Sequence, residues 1–397
     1  MNYKKTLIAC LSSYVVQAII VNLAPLLFLT FQKSFGISFS AVSLLITVNF
    51  CVQLTVDLIC AKYVDKIGHR AAMIFGHTAA TIGLICMAVL PSIFPNPYIA
   101  LVLSTMIYAI GGGIIEVLVS PLVEACPTKN KEGTMSLLHS FYSWGQVMVT
   151  ILTCLFFAVF GIENWRILTL IWALVPTFLA VIFIKLPLPA ITAEGEVGLS
   201  LGQLFKKGLF WLLLLLMLCS GASEQGVIQW ASVFAEKTLG LSKSVGDLVG
   251  PLTFAILMGL CRTLFARYSE KIPLEKFIIF SSFLCVAGYL ITVFSNSTIL
   301  SLLGFALCGF SVGIMWPGTL SVGAAGIRGG GTAMFAMFAV AGDIGCSAGP
   351  TIVGFFADIF GGDLKVGLLV GTIFPAILIV GTLAKRVFFK PSAPSQD

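Results

Sequence analysis

Charge is scarce in this sequence. Asp, Glu, Lys and Arg make up 10% of 397 residues against 58% hydrophobic, and the mean hydropathy is +1.04. A soluble globule of this length cannot cover itself with so little polar surface. Histidine is scarcer still, at three residues, and none of the 11 cysteines forms a C-x-x-C pair, so neither supplies a metal centre. The cysteines lie mostly inside apolar segments and read as small, polarizable packing residues. Enzyme signatures are missing too: there is no phosphate-binding loop, no H-E-x-x-H and no G-x-S-x-G elbow. An ATP-driven pump would need a nucleotide domain for which the chain has no room. Neither an enzyme nor a bound cofactor is expected.

What the chain has is apolar length. Twelve segments, near 6–31, 40–60, 71–91, 98–123, 133–160, 165–185, 208–235, 244–266, 275–295, 298–323, 330–357 and 365–388, approach or exceed the ~20 residues that span the hydrocarbon core as a helix. Strands of a membrane barrel would alternate apolar and polar residues, and these segments do not. The expected fold class is an all-α integral membrane protein with twelve transmembrane helices.

Its orientation follows from the cations. With the N-terminus inside, 17 of the 23 Lys and Arg residues fall on the cytoplasmic side, Lys390 among them. Five (Lys33, Arg166, Lys237, Lys243 and Lys365) fall outside, and Arg262 lies within a span. Both termini are therefore placed in the cytoplasm. The net charge of +6 is a topology signal and not a nucleic-acid footprint. No cleavable signal peptide is expected, because the first span outruns a signal h-region.

Residues 186–205, LPLPAITAEGEVGLSLGQLF, form the longest polar stretch between spans and read as a linker. The expected domains are 1–185, a six-helix bundle; 186–207, a cytoplasmic linker; and 208–397, a second six-helix bundle with a short tail. An internal repeat supports the division. Gly113 stands eight residues before Pro121, and Gly309 eight before Pro317. Gly133-Thr134-Met135 opens the fifth span, and Gly331-Thr332-Ala333-Met334 the eleventh. The loop Asp65-Lys66-Ile67-Gly68 has its counterpart in Glu270-Lys271-Ile272-Pro273.

Against this background a few buried charges stand out. Glu116 and Glu224, one in each half, sit inside apolar runs, where an ionised side chain costs roughly 2.5–3.5 kcal/mol. Such groups face a cavity or a partner, which points to a solute or ion path. Desolvation favours the neutral form of a carboxyl in a partly dry cavity, so it can load a proton on one side and release it on the other. Glu116 is the first candidate for that role, with His139 as a plausible partner. Glu224 is the second, shared between coupling and binding a solute hydroxyl. Asp343, within Gly342-Asp343-Ile344-Gly345-Cys346-Ser347-Ala348-Gly349-Pro350, is the third.

Recognition of a polyol needs paired donors and acceptors and an aromatic face. The candidates are Gln17, Asn22, Asn49, Gln53, Tyr142, Trp144, Gln225, Gln229, Trp230 and Trp316. Asn49, Gln53 and Asp57 lie four apart and would share one helix face. Trp230 sits about 100° around the helix from Gln229, so both cannot point straight into one cavity. An aromatic in a spanning helix is as readily a packing residue or an interfacial anchor. Asp57, Asp65, Arg70 and Glu270 read as gate elements; Arg262 joins them or snorkels to the interface.

Ala61-Lys62-Tyr63-Val64-Asp65-Lys66-Ile67-Gly68-His69-Arg70 resembles the loop between the second and third helices of the major facilitator superfamily, G-x-x-x-D-[RK]-x-G-[RK]-[RK]. Ala61 and His69 depart from that pattern. Asn164-Trp165-Arg166 at the sixth span extends the resemblance, which covers nearly the whole chain. It implies two six-helix bundles around a cavity open alternately to each side. Gly221 to Trp230, Glu116, and Leu138-His139-Ser140-Phe141-Tyr142-Ser143-Trp144-Gly145 resemble the fucose–proton symporter group and its sugar-transporting relatives. That group has an aspartate in its first helix, where this chain has Gln17, Asn22 and Pro25 and no acid.

The expected function is therefore proton-coupled uptake of a sugar or similar small solute by a monomer in the bilayer. Drug efflux stands second, because the G-x-x-x-G-P of antiporters is missing from the fifth span and occurs instead at Gly345 to Pro350 in the eleventh. Facilitative uniport and a non-transporting sensor remain alternatives, although the tail PSAPSQD offers a sensor little to signal with. The compact chain points to a bacterial inner membrane.

Overall fold

The computed structural model describes residues 3–191, 198–237, 240 and 243–389. Residues 192–197 of the linker, Lys390 and the tail 391–397 lie outside the described residues. The described elements are helices throughout: α1 Lys4–Leu26, α2 Phe28–Phe35, α3 Phe39–Ile67, α4 His69–Val89, α5 Pro97–Ala125, α6 Lys131–Phe160, α7 Trp165–Lys185, α8 Leu201–Leu204, α9 Gly208–Lys237, α10 Lys243–Tyr268, α11 Leu274–Phe294, α12 Thr298–Val312, α13 Met315–Gly326, α14 Gly331–Ile359, α15 Leu364–Gly371 and α16 Ile373–Phe388.

Eleven helices among the described residues are long and apolar enough to cross a membrane. They stand at eleven of the twelve expected positions, with α1 and α12 each continuing into a shorter helix and the short α15 into the longer α16. The 26-residue α10 stands at the remaining one, the eighth. At 1.5 Å per residue it is about 39 Å long, enough to span. Leu174, Phe178 and Val181 form one stripe of α7 that faces away from the protein, each more than 60% exposed. Water would not tolerate such a stripe, whereas lipid does.

Local signals fix the helix ends. Asn96 accepts from the backbone N–H of Tyr98 and Ile99, and Pro97 at the first helical position starts α5. Gly68 ends α3 and begins α4 with φ +91°, a conformation that excludes a side chain.

The helices fall into two compact units. Unit 1 comprises residues 1–127, 141–198 and 331–339. In it α4 packs on α5 and α7, and α5 also receives α1 and α3. A β-carbon at Gly111 would stand 2.7 Å from the Ala80 nitrogen, so α4 and α5 meet backbone to backbone. Unit 2 comprises residues 128–140, 199–330 and 340–397, so the opening turns of α6 belong to it. Here α9 and α14 meet through small residues: a β-carbon at Gly345 would lie 2.8 Å from the Leu218 carbonyl carbon.

Candidate functional site

In unit 1 three helices bring amides and a carboxylate together. Gln17 of α1 donates its side-chain N–H to Gln53 Oε1 of α3 at 2.8 Å and to Glu116 Oε2 of α5 at 2.9 Å. Gly112 makes the room, since a β-carbon there would stand 3.0 Å from Gln17 Oε1. Asn49, Gln53 and Asp57 are all buried, as their spacing on one face of α3 predicts. Gln17 Oε1, Gln53 Nε2 and Asn49 Oδ1 are buried with no hydrogen-bond partner among the described residues. One turn below, Tyr14 Oη meets Ser120 Oγ at 3.2 Å. Asn22 turns its amide back onto Ala18 O of its own helix.

Unit 2 is organised around an arginine. Arg262 of α10 is buried, 3% exposed, which corrects the expectation that it snorkels to the interface. Its Nη2 lies 3.4 Å from Glu224 Oε2, Nε donates to Gly313 O at 2.9 Å, and Nη1 donates to His139 O at 3.1 Å. Ser136 Oγ closes the group by donating to Arg262 O at 2.7 Å. Acceptors at hand, two backbone carbonyls and a carboxylate, keep the cation inside. Tyr289 Oη holds Ser223 O at 3.1 Å, fixing α9 one residue before Glu224. Gln225 donates to Glu224 Oε1 at 3.4 Å and Gln229 to Gln225 Oε1 at 3.0 Å, a polar line along α9.

The remaining predicted residues are placed as follows. His139 is buried in unit 2, whereas Glu116 belongs to unit 1. Asp343 is buried on α14 beside Gly342, which the Trp316 ring covers. Trp230 lies against Gly354 and donates Nε1–H to Pro350 O at 3.0 Å. Tyr142 is half-buried and Trp144 exposed, both just before Gly145, where α6 approaches Ala18. Asp65 pairs with His69 at 2.9 Å, and Arg70 donates to Phe183 O and Ile184 O in the last turn of α7. Glu270 is exposed and lines a cavity of about 370 Å³ in unit 2, beside the pairing of Glu275 with Lys385 and Arg386.

Two features escaped sequence reasoning. The Tyr14–Ser120 bond extends the Gln17–Glu116 contact by one turn, and its signal was the i+3 and i+4 offset on the two helices. The seat of Arg262 also had a signal: Pro317 has no N–H to give to Gly313 O four residues back. That carbonyl is left for a side chain to take.

A profile of the Major Facilitator Superfamily matches residues 6–350. An uncharacterized MFS-type transporter of Yersinia pestis is 24% identical over 313 residues, which cover 77% of each chain. The fucose:proton symporter FucP of E. coli superposes with a TM-score of 0.81 at 16% identity, covering 99% of this chain and 100% of that one. The proton:xylose symporter XylE superposes with a TM-score of 0.80 at 12% identity, over 97% and 95% of the two chains. At these identities the likeness to the solved structures is one of fold.

Proposed function

This chain belongs to the major facilitator superfamily and is a multi-pass secondary transporter, and on that premise we propose that it carries a sugar or similar polyol by proton-coupled symport. The observation that supports the substrate class is the Gln17–Gln53–Glu116 contact with its unsatisfied neighbours. A buried polar atom without a partner costs about 1–3 kcal/mol. Gln17 Oε1, Gln53 Nε2 and Asn49 Oδ1 together offer two acceptors and a donor. A solute hydroxyl both donates and accepts, so neighbouring hydroxyls of a polyol satisfy such a set.

Coupling follows from the same contact. The Gln17 N–H supports the ionised form of Glu116, because a hydrogen bond to a charged acceptor is stronger than one to a neutral acceptor. Proton loading on Glu116 weakens that bond and frees the Gln17 amide for solute. Proton and solute then bind as a linked pair. Glu224, His139 and Asp343 are the further coupling candidates, and Gln225 and Gln229 are the solute-binding candidates of unit 2. Tyr142, Trp144 and Trp316 are the further aromatic candidates, and Trp230 is assigned to packing against Gly354. Asp57, Asp65, Arg70, Arg262 and Glu270 form the gates.

The repeat halves are 1–185 and 208–397, and the working unit is a monomer. A bacterial inner membrane is the proposed location, in line with the Yersinia relative. The test is uptake of labelled hexoses, deoxyhexoses and polyols into proteoliposomes, with and without an inward proton gradient. Accumulation that needs the gradient supports symport. Absence of uptake in either gradient direction overturns the sugar assignment and moves efflux forward.

A further inference from the structure

At the cytoplasmic end of unit 2, a cavity of about 370 Å³ is bordered by the loop after α10, the first turn of α11 and the last turn of α16. That volume lies within the range of small-ligand pockets. Four cations line it, Lys271, Lys276, Lys385 and Arg386, against three acids, Glu132, Glu270 and Glu275. Lys385 is buried and takes one oxygen of Glu275, so that pair is closed. Arg386 stands near the other oxygen with its Nε 3.6 Å away, beyond hydrogen-bond length. Its two terminal nitrogens, and the ammonium groups of Lys271 and Lys276, meet no acceptor among the described residues. A positive-inside bias alone would scatter such cations over the surface. Here three exposed ones, from three separate segments, border one cavity with donors to spare.

We propose that this cavity binds a phosphomonoester, held by Lys271, Lys276 and Arg386. Such a group carries close to two negative charges at neutral pH and three terminal oxygens, one for each of the three cations. A carboxylate has one charge and two oxygens, which leaves a cation unserved. Arg386 suits the role because its planar fork presents paired N–H donors to a phosphate, while the lysines supply point charges. Glu270 is the lining acid that works against the anion, since it has no partner of its own among the described residues. Soluble metabolites and lipid headgroups both carry this chemistry. Lys276, Phe280 and Phe283 share one exposed stripe of α11, and exposed Val387 and Phe388 follow Arg386 on α16. A headgroup whose chains lie in the bilayer can therefore reach the cavity, as can a soluble ester from the cytoplasm. The site is separate from the coupling candidates and does not depend on which solute is carried.

The full chain, purified in detergent and stripped of lipid, is titrated with glycerol 3-phosphate, and the concentration dependence of thermal unfolding gives Kd. In a second arm the same preparation is offered phosphatidic acid or phosphatidylcholine, and retained lipid is read by native mass spectrometry. Lys276→Gln combined with Arg386→Gln is expected to raise Kd at least about tenfold, since one hydrogen bond to a charged group is already worth that much. Lys62→Gln combined with Lys66→Gln removes the same charge from the cytoplasmic side of unit 1 and is expected to leave Kd within about twofold. Glu270→Gln is expected to tighten binding about threefold, the size of an exposed charge–charge contact. Lactate, a carboxylate, is expected to bind at least about tenfold more weakly than glycerol 3-phosphate.

Saturable binding of glycerol 3-phosphate that the Lys276 and Arg386 substitutions weaken supports the site with a soluble ligand. Phosphatidic acid retained by wild type and lost from that variant supports it with a lipid one. Binding of neither, or equal binding to wild type and variant, overturns the proposal. Lactate bound as tightly as glycerol 3-phosphate overturns the phosphate assignment. Lys276 and Arg386 are exposed, so their replacement leaves the core intact, and the Tm of the ligand-free variants checks this. Because no transport is measured, failure here contradicts the phosphomonoester site alone, and failure of sugar uptake contradicts the symport reading alone.

Discussion

The Gln17 amide on the first span donates to the Glu116 carboxylate on the fourth at 2.9 Å, across 99 positions of chain. The donor of this pair also holds Gln53 at 2.8 Å, so one neutral side chain arbitrates between an acid and an amide. Under the proposed function, solute and the ionised Glu116 carboxylate compete for the same amide, so proton loading on Glu116 favours solute.

Replacement of Gln17 by Leu is expected to raise the KM for counterflow exchange about tenfold, a loss of about 1.4 kcal/mol in apparent affinity. Asn22→Ala is expected to change it less than twofold, because Asn22 bonds its own helix at Ala18 O. Exchange kinetics of the two variants in proteoliposomes check the contrast. Equal effects would contradict the assignment of the binding atoms.

Trp230→Phe separates packing from recognition. Its ring rests on Gly354 and its N–H bonds Pro350 O, so the variant is expected to lose about 0.5–1.5 kcal/mol of stability. KM is expected to stay within twofold. A lowered Tm with unchanged exchange kinetics supports packing, and a KM rise of tenfold or more would return Trp230 to the solute path.

Much of the fold was legible because bilayer thickness imposes a length on every span, and twelve runs of that length are visible in the sequence. The common face of Asn49, Gln53 and Asp57 was legible for an equally simple reason, since a helix turns 100° per residue. Which carboxylate Gln17 reaches was not legible: it depends on Gly112 permitting approach of α1 to α5, a packing fact distant in sequence. For Arg262 the snorkelling alternative stayed open beside the gate reading because position near a span's inner end was weighed, whereas the acceptors waiting for it were not. Gly313 O, orphaned by Pro317, was one of them.

Close packing of α9 on α14 predicts a sharp contrast between two glycines. Gly345→Val drives side-chain atoms into the Leu218 carbonyl and is expected to cost about 1–3 kcal/mol through overpacking. Gly202→Ala meets nothing within 4 Å and is expected to leave Tm unchanged within a degree or so. Thermal unfolding in detergent reads both, and an unchanged Tm for Gly345→Val would contradict the backbone-level contact.

The central claim is that Glu116 carries the coupled proton, and the most direct measurement compares wild type with Glu116→Gln in two assays. Wild type is expected to accumulate the transported solute against its gradient when protons run inward, and to exchange solute in counterflow. Glu116→Gln is expected to lose accumulation by at least about tenfold, the size of a typical coupling between linked ligands, while retaining counterflow that no longer varies with pH. Gradient-driven accumulation that survives in Glu116→Gln would contradict the account.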